Sequence, residues 1–332
     1  MTRVIMPNLP FIAMLRRCAL ALLLLSCTAG AQAATVVNIG FFQEWPSPNL
    51  VAKAQGDYET AMQVPVRWFA FDTGTQMTEA LSSGEIDIAY SQGLAPFVSA
   101  VNRGAPIRAV AAAIQYPAND CVVRDGVDID ADVPASLEGR SVAVPLATAA
   151  DFSFRLMLRA LEVDSARLTI IDRIPADGAV LLVDGEVDMA CGFGALAMAK
   201  MYAAGEPLLS AEQKLGFGIE SVDLVSVRSA FIDREAELLG RFLEVTEAAN
   251  RAWTASPEQV RRVGLESGLD TTGVLSQLAD FSFPSAAVQR RVLFVENGPV
   301  EEAMRVAGEI FASDEAPALD DYSQVIDLRH LP

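Results

Sequence analysis

Asp223 interrupts an otherwise apolar run, Ser221-Val222-Asp223-Leu224-Val225-Ser226-Val227. A carboxylate among such neighbours needs a partner, either a hydrogen bond within the protein or a cation brought by a ligand. Two short stretches have the opposite capacity. Thr148-Ala149-Ala150 follows a strand-like run and opens a helix, and Ser91-Gln92-Gly93 does the same earlier in the chain. Backbone N–H groups at such helix starts attract anions. The plain alternatives are that Thr148 is only an N-cap and Gly93 only a turn residue. Gln43-Glu44-Trp45 stands at the mouth of the first strand, where Trp45 can pack over a ligand and Glu44 can pair with a cation. Trp45 can equally cover a helix and Glu44 face solvent. Asp120, near an expected chain crossing, is either a ligand for an amine or a turn residue, and Phe193 either closes a wall or fills the core.

These residue types bind; they do not make a reaction centre. The single histidine, His330, is three residues from the end. A Ser-His or Cys-His pair and a multi-histidine metal site are therefore excluded. There is no glycine-rich phosphate loop. No catalytic residue, metal or cofactor is expected.

The elements that must position these residues alternate. Val36–Phe42 reads as a strand, and 47–56 as a helix with Ser47 as cap and Pro48 in its first turn. Residues 65–71, 85–90 and 106–116 read as strands, with helices over 72–84 and 94–104 between them. The second half repeats the grammar: strands over 140–146, 167–174 and 186–192, helices over 147–163, 175–185 and 195–205. Strand–helix alternation means parallel pairing in an α/β sheet. One line is written almost twice: Ser83–Gly93 reads SGEIDIAYSQG and Asp184–Gly194 reads DGEVDMACGFG. Each copy is a helix end, a glycine, an acid and a strand, which points to two similarly wound lobes. Ligands of open α/β sheets sit beyond the carboxyl ends of the strands, so these strand ends should face each other across a cleft. Asp87 and Asp188, matched inside the copies, read as structural, and Glu85 and Glu186 as solvated. After residue 231 the pattern is helical, and the final Asp320–Pro332 reads as a docked strap.

Residues 1–34 stand apart. Arg16-Arg17, a short apolar run and Ala31-Gln32-Ala33 make a secretory signal peptide with cleavage after Ala33 or Ala34, and a start at Met14 would give it ordinary length. The run is too short to span a bilayer, and a lipid anchor at Cys27 is the lesser option. The expected location is the periplasm. The chain has 332 residues and a formal net charge of −18, a surface that repels nucleic acid and anionic membrane. Outside the signal segment two cysteines remain, Cys121 and Cys191, read as small buried hydrophobes rather than a disulfide.

The stretches GFFQEWPSPN, FDTGTQMTEALSSGEIDIAYSQGLAPFVSA, GRSVAVPLATAADFSFRLMLRALEV, SVDLVSVRSAF and DDYSQVI together resemble the periplasmic taurine-binding proteins of ABC importers, within a wider group for alkanesulfonates, nitrate and thiamine precursors. The resemblance runs from about Val36 to Leu328. It implies a two-lobed, type II-like periplasmic binding fold, each lobe a mainly parallel sheet flanked by helices, with two crossing hinge strands near Cys121–Arg124 and Leu224–Val227. Lobe 1 would comprise 35–122 and 226–332, and lobe 2 residues 123–225. It implies a monomer that traps a taurine-like zwitterion and hands it to a permease with its ATPase, without stable membrane insertion and without chemistry. Asp223 matches the acid that holds the amine in this group. Asp151 stands where the taurine branch commonly has histidine, and the extra acid favours a more cationic ligand. Glu44, Asp120, Asp151 and Asp223 with Trp45, Tyr90 and Tyr116 could instead cage a quaternary amine or betaine. The enzymes of the wider group, which make a thiamine pyrimidine, carry a cysteine-rich motif and a histidine that this chain lacks.

Overall fold

The computed structural model describes residues 1–2 and 35–332; the predicted signal segment lies outside them. Among the described residues, ten strands form two five-stranded sheets. The first contains β1 (Val37–Phe42), β2 (Val66–Phe71), β3 (Ile88–Gly93), β4 (Ile107–Pro117) and β10 (Glu220–Arg228), in the order β2-β1-β3-β10-β4. The second contains β5 (Cys121–Arg124), β6 (Ser141–Val144), β7 (Thr169–Asp172), β8 (Met189–Cys191) and β9 (Gly205–Pro207), in the order β7-β6-β8-β5-β9. In each sheet three strands run parallel and the fourth is antiparallel to both its neighbours. This is the two-lobed, helix-flanked α/β architecture of the periplasmic binding proteins.

The repeated line builds the same device twice. Asp87 accepts a hydrogen bond from the backbone N–H of Asn38 on β1 at 2.9 Å, and Asp188 one from that of Ser141 on β6, also at 2.9 Å. Each acid thus ties the start of its own strand to the start of the next parallel strand. Gly84 and Gly185 both adopt left-handed backbone, with φ of 89° and 75°. A Cβ added at Gly84 would lie 3.2 Å from the Arg228 guanidinium, and one at Gly185 3.8 Å from that of Arg124. Those arginines end the two antiparallel strands, so glycine, acid and arginine recur as one unit in both lobes.

Helices α1 (Asn49–Gln55) and α2 (Asp57–Met62) follow β1, α3 (Gly74–Ser83) follows β2 and α4 (Leu94–Asn102) follows β3. In the second lobe come α5 (Ala149–Ala160), α6 (Pro175–Val183) and α7 (Ala195–Tyr202). The expected Ser47 cap is not made; its hydroxyl bonds the Asn49 side chain instead, at 2.5 Å. After β10, α9 (Ser229–Ala252) packs on α1 and α2, α10 (Pro257–Ser267) on α1, and α11 (Thr271–Asp280) on α10 and on α7 of the second lobe. The helix α12 (Pro299–Ile310) packs on α4. The C-terminal strap docks as expected: Asp327 N–H donates to Ala109 O at 2.8 Å, and the Tyr322 hydroxyl to Asn102 at 2.6 Å. Gly308 lets Tyr322 in, because a Cβ there would overlap the ring.

Two links join the sheets. One is Ala118–Asp120; the other is Leu208–Ile219, which contains the short helix α8 (Ala211–Gly216). The expected hinge residues, Cys121–Arg124 and Leu224–Val227, lie inside β5 and β10, each paired on both edges. A doubly paired strand is held by ladder hydrogen bonds, and the links Ala118–Asp120 and Leu208–Ile219 lie just before these two strands. β10, Asp223 included, is part of the first sheet. Cys121 and Cys191 are a disulfide, contrary to the sequence reading. They are directly opposed partners of the β5–β8 ladder, a proximity that 70 residues of separation conceal in the sequence.

Candidate functional site

The strand ends and helix starts of the two lobes meet around a small cavity of about 30 Å³. From the first lobe Trp45, Ser91, Gly93 and Asp223 line it, and from the second Thr148, Ala149 and Phe193. Phe42, Gly74, Pro96, Tyr116 and Asn119 complete the wall.

Asp223 is the only acid of the lining, and it is buried. Its Oδ2 accepts from Trp45 Nε1 at 2.9 Å and from the Ser91 hydroxyl at 2.7 Å; its Oδ1 accepts from the Tyr116 hydroxyl at 3.1 Å. Three donors from β3, β4 and the turn after β1 therefore converge on it. Ser91 pays conformationally for its place, with φ of 61°, a region serine rarely occupies. Burial lifts the Asp223 carboxyl from 3.8 to about 6, against the pull of Ser91, Tyr116 and Trp45. Burial first, and then the Asp223 charge, pushes Tyr116 well up, so it remains a donor. A carboxylate offers about four acceptor positions, which leaves room for one more donor.

Aromatic rings stand round this carboxyl. Phe42 meets Trp45 edge-on at 4.9 Å between centroids, and Trp45 meets Tyr116 at 5.7 Å. Phe193 from the second lobe reaches Phe42 at 5.6 Å. Helix starts also line the cavity: Gly74 of α3, Gly93 before α4 and beside Asp223 in the sheet, and Thr148-Ala149 at α5. Three helix N-termini from two lobes thus point at one cavity. The lobes come close at Gly93, where a Cβ would sit 3.4 Å from that of Ala149. The Thr148 hydroxyl is already engaged, donating to Pro145 O at 2.6 Å and accepting from Asp151 N–H at 3.5 Å. What α5 offers a ligand is therefore backbone N–H and dipole.

The other expected site residues lie elsewhere. Glu44 reaches across to the second lobe and accepts from Leu196 N–H at 3.0 Å, capping α7. Asp120 is held by Lys214 at 2.6 Å and by the Tyr202 hydroxyl. Asp151 turns back into its own turn, accepting from Ala147 N–H at 2.9 Å and Arg155 Nε at 2.8 Å. Its charge is neutralised there, which removes the reason to expect a more cationic ligand. Burial still raises its carboxyl above the ordinary range. Ala147, at φ 57°, presents its carbonyl to Thr75 of the first lobe at 3.2 Å, a second bond between lobes. Gln92 is buried between Thr78 and Ser226 and does not line the cavity. Gln43 is exposed beside Gly268, and Ala150 is buried in α5 without reaching the lining. Tyr116 carries a sequence signal only as an aromatic near the end of a strand, and Phe42, Gly74 and Asn119 none that separates them from ordinary turn residues. Among the described residues no group of three histidine, cysteine or carboxylate side chains is placed to hold a metal, and no helix is long and apolar enough to cross a membrane.

Residues 47–260, more than half the chain and most of both lobes, match the NMT1/THI5-like family model. The chain belongs to the NMT1/THI5-like family. It is 24% identical over 306 residues to the taurine-binding periplasmic protein of Escherichia coli K12, covering 89% of this chain and 93% of the relative. Among solved structures it superposes on the alkanesulfonate-binding protein SsuA of Xanthomonas axonopodis pv. citri, bound to MOPS, with a TM-score of 0.67 at 18% identity, covering 88% of this chain and 98% of that one. The periplasmic aliphatic sulphonate binding protein SsuA of Escherichia coli gives 0.66 at 19%, covering 87% and 90%. These two likenesses establish the fold of this NMT1/THI5-like chain.

Proposed function

We propose that this protein is a periplasmic solute-binding protein that delivers taurine or a closely related aminosulfonate to an ABC permease and its ATPase. The observation that carries this reading is the polarity of the cavity. Asp223 in a ring of aromatic faces and three helix N-termini supplied by both lobes line the same space. A sulfonate is met by amide dipoles without a formal positive charge. An ammonium takes the remaining acceptor position of Asp223 and the aromatic faces. Because the lining comes from both lobes, a ligand that touches both bridges them and favours the closed arrangement. The taurine-binding and sulfonate-binding relatives support the same solute class.

A quaternary amine fits less well. Glu44, Asp120 and Asp151 are spent on Leu196, Lys214 and Arg155, so one acid remains, not four. Calorimetry and thermal shift with taurine, ethanesulfonate, glycine betaine and choline test the reading. Taurine should bind tightest; response to choline or betaine with none to either sulfonate would reject it.

A further inference from the structure

Asn119 lies in the three-residue link Ala118–Asp120, between β4 of the first lobe and β5 of the second. Its side chain lines the cavity and the residue is only 8% exposed. Among the described residues its amide nitrogen has no hydrogen-bond partner. The Tyr116 hydroxyl, which donates to Asp223, stands beside it with an oxygen able to accept, but no hydrogen-bond geometry joins Asn119 to it. A buried donor left unpaired is costly and uncommon. The chain nevertheless holds it firmly. Lys214, buried on the other link, donates to Ala118 O at 2.7 Å and to the Asp120 carboxylate at 2.6 Å, the residues on either side of Asn119. Gly192 N–H donates to Asp120 O at 3.1 Å, next to the Cys121–Cys191 disulfide. Both neighbours of Asn119 are therefore fixed while its own amide nitrogen, in a residue of the cavity lining, has no hydrogen-bond partner. Such support is what a ligand-contacting group requires.

Resting on the aminosulfonate reading above, we infer that Asn119 is a ligand-contacting, specificity-determining residue whose amide N–H donates to an oxygen of the sulfonate. It does so from the link between the lobes. The sulfonate is then read by the first lobe, the second lobe and the connection between them. The link moves when the lobes move, so this contact is complete only at one lobe angle. A tetrahedral anion with three oxygens can satisfy Asn119 together with helix N-termini; a planar carboxylate has one oxygen fewer.

The test compares wild type, Asn119→Leu and Asn119→Asp by calorimetry with taurine and ethanesulfonate, and by melting without ligand. N119L keeps the size and removes the donor. Its affinity for both sulfonates should fall about 10- to 100-fold, the loss of one hydrogen bond to a charged group. Its ligand-free melting temperature should equal or exceed that of wild type, because no protein hydrogen bond is lost. N119D should lose sulfonate binding by more than N119L, since it sets an acid against the anion. Unchanged N119L affinity in a wild type that binds would overturn the role of Asn119 alone. So would a fall of several degrees in the ligand-free melt of N119L with affinity retained, the mark of a purely structural residue. Failure of wild type to bind either sulfonate would reject the solute class, and Asn119's role with it.

Discussion

Replacing Asp223 by asparagine should make the protein more stable and a worse binder. The carboxyl is buried under three donors, and burial lifts it from 3.8 to about 6. The folded protein therefore holds this proton up to about pH 6, while the unfolded chain releases it near 3.8. Between those values the folded state binds more protons, so stability contributed by this group falls as pH rises and is level above about pH 6. At 1.36 kcal/mol per pH unit, the ionised form at pH 7.5 costs about 3 kcal/mol relative to the protonated one. The amide of D223N can accept from Trp45 and Ser91 with its oxygen while the Tyr116 hydroxyl turns to accept from its nitrogen. Chemical denaturation at pH 7.5 should show D223N more stable than wild type by up to about 3 kcal/mol, with the slope between pH 4 and 6 reduced. Taurine binding should move the other way. Removing the partner of a buried ammonium costs about 3–5 kcal/mol, roughly 100- to 4,000-fold in Kd. Wild-type affinity should weaken about tenfold at pH 5 relative to pH 7.5, because ammonium prefers the ionised carboxylate. Ethanesulfonate should lack that dependence. A taurine Kd constant from pH 4.5 to 8, or D223N binding taurine like wild type, would refute the reasoning.

Three other outcomes follow from the geometry. Glu44→Ala removes the cap that the first lobe places on α7 at Leu196, so ligand should dissociate several-fold faster in stopped-flow release, about 1 kcal/mol of closure being lost. Asp151→Asn breaks the Arg155 pair and the Ala147 turn; the melting temperature should drop while the ranking of taurine, ethanesulfonate and choline stays unchanged, whereas a cation site at Asp151 would alter that ranking. Opening the Cys121–Cys191 bond by Cys121→Ser with Cys191→Ser should cost roughly 4 kcal/mol for a loop of 70 residues, a fall on the order of 10 °C in calorimetric melting; an unchanged melt would show that the β5–β8 ladder needs no covalent tie.

Much of the fold is legible because apolar strand residues and glycine helix stops alternate along the chain. β1 to β4, β6 to β8 and β10 announce themselves this way, and the twin lines ending at Gly93 and Gly194 announce two lobes. β5 follows β4 with no helix between them, and β9, Gly205-Glu206-Pro207, has no apolar residue, so neither fits the pattern. They exist because β8 offers an edge to β5, and β5 one to β9. The repeated acids were readable as structural, but their task of bonding the neighbouring strand's first N–H required the sheet.

The candidate site divides along the same line. Composition alone, with one histidine and no phosphate loop, excluded histidine-pair and phosphate-loop chemistry, and an acid inside an apolar run marked Asp223 as a residue with a partner. Which acids face the ligand could not be read locally. Glu44, Asp120 and Asp151 are as acidic in sequence as Asp223, yet each meets a donor supplied by a distant helix, a second link or its own turn. The disulfide and the unpaired amide of Asn119 depend on strand register and on where two links cross. A chain's hydrophobic pattern decides what is buried, because burial is a property of each residue's own surface. Partnership belongs to pairs of residues, and only the tertiary structure brings the pairs together.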